Sequence, residues 1–182
     1  MSKTESVAAA DILTDELKRG PQDMPSRERA QEMLDIDMQY AAHFHNRDFK
    51  GMETCLVGSP DFEMQPLGLR IQGKAAYRER SKRLQKAVVA QLDPKNRSSN
   101  KDTANQVFRS VAFGKDVMIV EWSADHTLPD GSRKRCYTIA VVQYEGQKIV
   151  GERVYTCQNA ATLRGHALGA DKAAVQRRCA LV

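Results

Sequence analysis

From Lys115 to Gln158 the chain reads as three consecutive apolar-rich runs of strand length, interrupted twice by turn chemistry. Val117 to His126 is rich in β-branched and aromatic residues, and Leu128-Pro129-Asp130-Gly131 follows it as a tight turn. Cys136 to Tyr144 returns, Glu145-Gly146 turns again, and Ile149 to Cys157 closes the series. Two short turns between three such runs predict an antiparallel meander, with Thr103 to Phe113 as the strand leading into it. The first half of the chain keeps a different period. After Ser26, a capping residue, Ala30, Met33, Leu34, Asp37, Tyr40, Ala41 and Phe44 fall on one face of a helix.

Asn46-Arg47-Asp48 ends that helix, and Phe49 to Val57 reads as a second, stopped by Gly58-Ser59-Pro60. Asp61 to Pro66 alternates as a short strand, and Gly68 and Gly73 bracket a turn. A third helix runs from about Lys74 to Leu92, with Tyr77, Leu84, Ala87 and Val88 on its buried side. Residues 93–102 form a polar loop. Residues 1–25 read as a polar arm, 26–158 as the domain, and 159–182 as a tail or short helix. Helices early and a long meander late make an α+β class. Asp37 stands out, because a carboxylate within an apolar stripe must be paired, reached by a cavity or protonated, unless it sits at the stripe's edge in water.

Composition narrows the picture. A chain of 182 residues with 41% hydrophobic positions suits one domain with a core. No apolar run nears the roughly 20 residues of a membrane helix, and the opening residues lack a signal-peptide layout. A cytoplasmic protein is the expectation. Cys55, Cys136, Cys157 and Cys179 form no CxxC pair, so free thiols are expected. The net charge of +5 gathers where Lys74, Arg78, Lys82 and Lys86 recur every fourth residue. That is a solvated helix face, with no interleaved aromatics to suggest nucleic-acid binding. No glycine-rich nucleotide loop or metal-spaced ligand set occurs, so no metal or organic cofactor is expected.

Four segments resemble a known superfamily. Tyr40-Ala-Ala-His-Phe-His-Asn-Arg-Asp48-Phe49 is similar to its first helix and the start of its second. Gln65-Pro66-Leu67-Gly68 followed by Gly73-Lys74-Ala75-Ala76-Tyr77 resembles its "Pro-x-Gly…Gly-x-x-Ala" segment. Ile119-Val120-Glu121-Trp122 resembles its "v-v-E-W" strand, and Tyr144 to Tyr155 its last hairpin. The chain thus resembles, over residues 27 to 158, the SnoaL-like polyketide cyclase, ketosteroid isomerase and nuclear transport factor 2-like (NTF2-like) superfamily. The resemblance implies a cone-shaped barrel: a curved, mainly antiparallel sheet wrapped around N-terminal helices, with an apolar pocket.

Alternation sets Met118, Val120, Trp122, Ala124 and His126 on one face of their strand, the more apolar and so the inner one. The resemblance implies that Thr138, Ala140 and Val142 also point inward, and that Arg153, Tyr155 and Cys157 do so on the last strand. It further implies that Tyr40 matches an oxyanion-stabilising tyrosine of the isomerases. The isomerase carboxylates fall at Gln65 and near Ala140, so that constellation is absent. Trp122, Ala124 and Cys157 stand where the epoxide-hydrolase variant needs Arg and Asp.

Candidate catalytic residues are Tyr40, Asp37, Glu63 and His126, where Asp37, Glu63 or His126 could be the base. Gln65, Trp122, Arg153, Tyr155 and Met118 are the candidate substrate contacts. The resulting expectation is a cofactor-free isomerase or cyclase for an apolar, oxygenated polyketide- or terpenoid-like molecule, with dehydration or hydrolysis as other chemistries of the fold. The alternative is a non-catalytic binding or dimerisation module. A homodimer is expected through the outer meander face of Ile119, Glu121, Tyr137, Ile139, Val141 and Gln143.

Overall fold

The computed structural model describes residues 24–90, 107–127, 132–157, 159–161 and 164. The expected turn at 128–131, the loop at 93–102, most of the arm and the helix at 170–181 lie outside the described residues. Helix α1 spans Arg27–His45, capped as expected by Ser26, whose hydroxyl accepts from the Arg29 N–H at 3.2 Å. Asp48 caps α2, Phe49–Thr54, by accepting from the Gly51 N–H at 2.9 Å. Helix α2 is shorter than its sequence suggests. The Cys55 carbonyl accepts from the Ile149 N–H at 2.8 Å, and Leu56 pairs with Ile149, so the last strand captures these residues.

Strand β1 is Leu56–Gln65 and passes through Gly58-Ser59-Pro60, read from sequence as a stop. The register breaks between Leu56 and Asp61, which is where a proline and a glycine fit without losing ladder bonds. The span between Gly68 and Gly73, expected as a turn, contains β2, Leu69–Gln72, antiparallel to β1. Leu69 and Ile71 turn toward the core while Arg70 and Gln72 are exposed, an alternation too short to separate from a loop in sequence. Helix α3, Lys74–Ala90, then packs on β1 and β2. No helix among the described residues is long and apolar enough to cross a membrane.

The meander is as expected: β3 (Val107–Gly114), β4 (Val117–Thr127), β5 (Arg133–Glu145) and β6 (Lys148–Thr156). The six strands lie in the order β2-β1-β6-β5-β4-β3, antiparallel except for the β1–β6 pair. The curved sheet is open between β2 and β3, and the helices cover its inner face. Met33 and Ile36 of α1, Phe62 and Met64 of β1, Met118 and Val120 of β4, and Ala140 and Val142 of β5 share one core. Each large side chain so buried contributes about 1.5–3 kcal/mol.

Strand parity holds on β4 and β5, where Met118, Val120, Thr138, Ala140 and Val142 are buried and Ile119 and Ile139 exposed. On β6 it does not. Gln143 pairs with Gly151 but Tyr144 with Ile149, so β6 carries an extra residue. That bulge lets both Ile149 and Val154 point inward although five positions separate them. Beyond it, Glu152 and Val154 face in, and Arg153 and Tyr155 face out.

Candidate active site

Helical phase turns Asp37 and Tyr40 of α1 toward the interior, one turn apart and beyond Met33 and Ile36. Helix α3 brings Tyr77, Arg80 and Ser81 to the same place, β1 brings Phe62, β5 Tyr144, and β6 Glu152. The Arg80 guanidinium lies 3.7 Å from the centre of the Phe62 ring and 4.8 Å from that of Tyr77. Its Nη1 donates to the Tyr40 hydroxyl at 3.2 Å, and its Nη2 to Oε2 of Glu152 at 3.4 Å. The Tyr77 hydroxyl donates to the same Glu152 oxygen at 3.0 Å. Tyr77 also stands edge-on to Tyr40 and Phe62, at 6.4 and 5.9 Å between centroids. Arg80 is therefore fixed by stacking and by charge together.

Electrostatics separates the groups. Burial, and after it the Glu152 charge, pushes the Asp37 carboxyl up to about 7. Asp37 is half-buried and still keeps some accessible surface. Among the described residues no hydrogen bond or ion pair reaches it. Burial raises Tyr40, Tyr77 and Tyr144, so all three phenols stay protonated. The Tyr144 hydroxyl is buried with no hydrogen-bond partner among the described residues. Burial opposes the Arg80 charge, but the Tyr40, Tyr77 and Glu152 oxygens outweigh it and keep Arg80 protonated. A carboxyl able to gain or lose a proton near neutrality thus stands beside phenols that can only donate.

Of the residues singled out from sequence, Asp37, Tyr40, Met118 and Trp122 lie on the inner side, Met118 fully buried and Trp122 packed against the core. Four others do not. Phe62 and Met64 take the inner face of β1, so Glu63 and Gln65 turn to the outer one, where the Gln65 amide donates to Glu63 at 2.6 Å. They pair across the ladder with Arg153 and Tyr155, which are exposed. The four residues sit together on the outer side of the sheet, away from Asp37 and Tyr40. His126 on β4 pairs with Lys134 on β5, and its side chain lies outside the described residues.

Sequence reasoning passed over Arg80, Glu152 and Tyr144 as site residues. Arg80 lies three residues after Tyr77 on the buried face of α3, so helical phase carried its signal. Tyr144 shares parity with Val142. Glu152 had no such signal, because the bulge reverses its face. A groove of about 770 Å³ between the outer side of α1 and the β5–β6 turn, lined by Arg27, Gln31, Asp35 and Lys148, holds none of these groups.

No protein-family model matches the chain, and no curated protein sequence does. Solved structures do. An NTF2-like protein from Burkholderia xenovorans LB400 is 13% identical, covers 82% of this chain and 96% of its own, and superposes with a TM-score of 0.51. A protein from Kribbella flavida DSM 17836 is 15% identical over 75% of this chain and 93% of its own, at a TM-score of 0.50. A de novo designed protein with a curved β-sheet is 15% identical over 86% and 99%, also at 0.50. A designed scaffold among the matches underlines that the likeness concerns backbone architecture. The chain has the curved-sheet fold of NTF2-like proteins.

Proposed function

We propose that this chain is a small-molecule enzyme that moves a proton on an apolar, oxygenated substrate, as an isomerase or cyclase does. The observation that carries the reading is Asp37: an enclosed carboxyl without an ion-pair partner among the described residues, held near neutrality beside tyrosine hydroxyls. In this reading the Asp37 carboxylate takes a proton from the carbon next to a carbonyl. The electron pair left behind moves onto the carbonyl oxygen. Tyr40 donates to that oxygen, its own oxygen accepting from Arg80 at 3.2 Å, which makes the phenol a better donor. Protonated Asp37 then returns the proton at another carbon. The unpartnered Tyr144 hydroxyl is a second donor available to a bound oxygen. Polyketide- and terpenoid-like ketones are the substrates that suit such a site.

The test is exchange rather than product, because the substrate is not named by the site. The protein is incubated in deuterium oxide with a panel of such ketones, and label at the carbon next to the carbonyl is followed by mass spectrometry. Exchange by the wild-type protein that is lost in Asp37→Asn supports the reading. Exchange unchanged in Asp37→Asn overturns it. Separately, the outer sheet face leads us to place two copies of the chain in a dimer, whose test closes the Discussion.

A further inference from the structure

Two of the cysteines meet where the β5–β6 ladder ends. The ladder reaches Thr138 and Thr156, and one step further the Cys157 N–H still donates to the Tyr137 carbonyl at 3.1 Å. The return bond is of another kind. The Tyr137 N–H donates to Cys157 Sγ at 3.3 Å, while the Cys157 carbonyl has left the ladder and accepts from the Ala161 N–H at 2.9 Å. The chain enters a helical turn at 159–161 there, and the sulfur takes the acceptor position that the carbonyl gives up. Tyr137 N is bonded to the carbonyl carbon of Cys136, so fixed bond lengths hold Cys157 Sγ within about 6 Å of the Cys136 Cα. Strands about 4.8 Å apart, rising about 3.4 Å per residue, set Cα atoms one step out of register roughly 6 Å from each other. That lies inside the range of about 4.4–6.8 Å that a disulfide spans. Side chains so placed ordinarily point to opposite faces, and the departure of Cys157 from strand geometry removes that obstacle. The Cys136 thiol registers its neighbour: burial, and after it Cys157, push it up to about 12.

We propose that Cys136 and Cys157 form an oxidation site, at which hydrogen peroxide joins the two thiols in a disulfide. The inference stands apart from the reading of Asp37 and Tyr40. Cys157 is partly exposed whereas Cys136 is only 3% exposed, so the oxidant meets Cys157 first. Its sulfur attacks one peroxide oxygen, the O–O bond breaks, and a sulfenic acid and one water result. Cys136 then gives up its proton and attacks the Cys157 sulfur. The S–S bond forms as the S–O bond breaks, and the departing hydroxide takes that proton as a second water. Two electrons pass from the thiols to the peroxide, and a dithiol reductant returns them. Burial keeps Cys136 a thiol until its neighbour is oxidised, which makes it the resolving partner and Cys157 the sensor. The bond ties the start of β5 to the turn that buries Ala160 and Ala161.

The full chain is reduced, freed of reductant and treated with hydrogen peroxide, then unfolded in urea, alkylated and digested with trypsin without reduction. Cleavage after Arg135, Lys148, Arg153 and Arg164 separates the two cysteines, so a bond between them appears in the mass spectrum as peptide 136–148 linked to peptide 154–164. That linked pair is expected, with free thiols falling from four to two and returning to four on addition of dithiothreitol. In Cys136→Ser the Cys157 sulfenic acid should persist and be trapped by dimedone, and in Cys157→Ser residue 136 should stay a free thiol. A wild-type protein that keeps four thiols overturns the proposal, as does one in which Cys157 is oxidised while Cys136 remains free. So does Cys157 linked to Cys179, which lies outside the described residues, or to a second chain. These outcomes are read on the wild-type protein and hold even where a serine variant fails to fold.

Discussion

At the scale of single residues, Asp37 contributes a cost as well as a candidate chemistry. Its folded-state value of about 7 lies above the ordinary carboxylate range, with burial as the main cause and Glu152 on β6 as the second. Tyr144 is the other group coupled to it. A carboxyl raised on folding lends stability that is fully present below its unfolded value near 4 and lost as pH rises through about 7. Asp37→Asn is therefore expected to stabilise the protein at pH 8 by up to about 4 kcal/mol and to change little at pH 4. Urea denaturation at the two pH values measures this. Destabilisation at pH 8 would mean that the ionised carboxylate has a partner.

The same variant should have lost exchange activity, the usual opposition between stability and a strained site. Tyr40→Phe tests the donor: kcat should fall roughly 100- to 1,000-fold with little change in KM, since the phenol acts on charge that develops in the transition state. Helical phase made Asp37 and Tyr40 visible in the sequence. It held Arg80 just as plainly at Tyr77 plus three, where a basic residue in a basic stripe reads as solvated surface until its neighbours are known.

At the scale of elements, β6 decides which groups reach the interior. Its bulge next to Gly151 puts Glu152 inward, beside Arg80, and sends Arg153 and Tyr155 outward. Period-two reasoning carries over a strand only while the ladder is regular, and one inserted residue inverts every later position. Alternation therefore made Met118 and Trp122 legible on β4, whereas the resemblance, which set Arg153 and Tyr155 inward on β6, did not carry the inserted residue that turns them out. Gly151 is also where β6 meets β1 most closely: a Cβ there would stand 2.9 Å from the Asp61 carbonyl oxygen, a backbone atom that cannot swing aside. Gly151→Ala should cost about 1–3 kcal/mol by forcing the parallel pair apart, read as a lower urea midpoint. Glu152→Ala should cost about 3–5 kcal/mol, because it leaves Arg80 buried without its carboxylate. A Glu152→Ala protein as stable as wild type would show that Arg80 has another counter-charge.

At the scale of the whole molecule, the α+β order and the meander follow from two periodicities and a few turn residues, so the sequence carried them. The inner site depends on side chains from α1, α3, β1, β5 and β6 meeting, which no local pattern encodes. The outer face lies between these cases, for parity alone exposed it. Ile119 on β4 and Ile139 and Tyr137 on β5 are each about 42–43% exposed, and Tyr155 on β6 joins them at 43%. The ladder sets Ile119 beside Val141 and Ile139 beside Tyr155, so these side chains form one patch across three strands. Charges rim it, with Arg135 paired to Asp125 and the Arg109 guanidinium 5.2 Å above the Tyr137 ring. An apolar centre with a charged rim on a rigid sheet can be buried by a second copy turned through a twofold axis, which sets the same patch against itself. Light scattering at micromolar concentration should give twice the 20.4 kDa chain mass. Ile139→Lys, which puts a long charged side chain at the centre of the patch, should return the mass to 20.4 kDa while the circular dichroism spectrum stays unchanged. A wild-type protein that runs at the chain mass, or an Ile139→Lys variant that stays paired, would remove this face as the dimer interface.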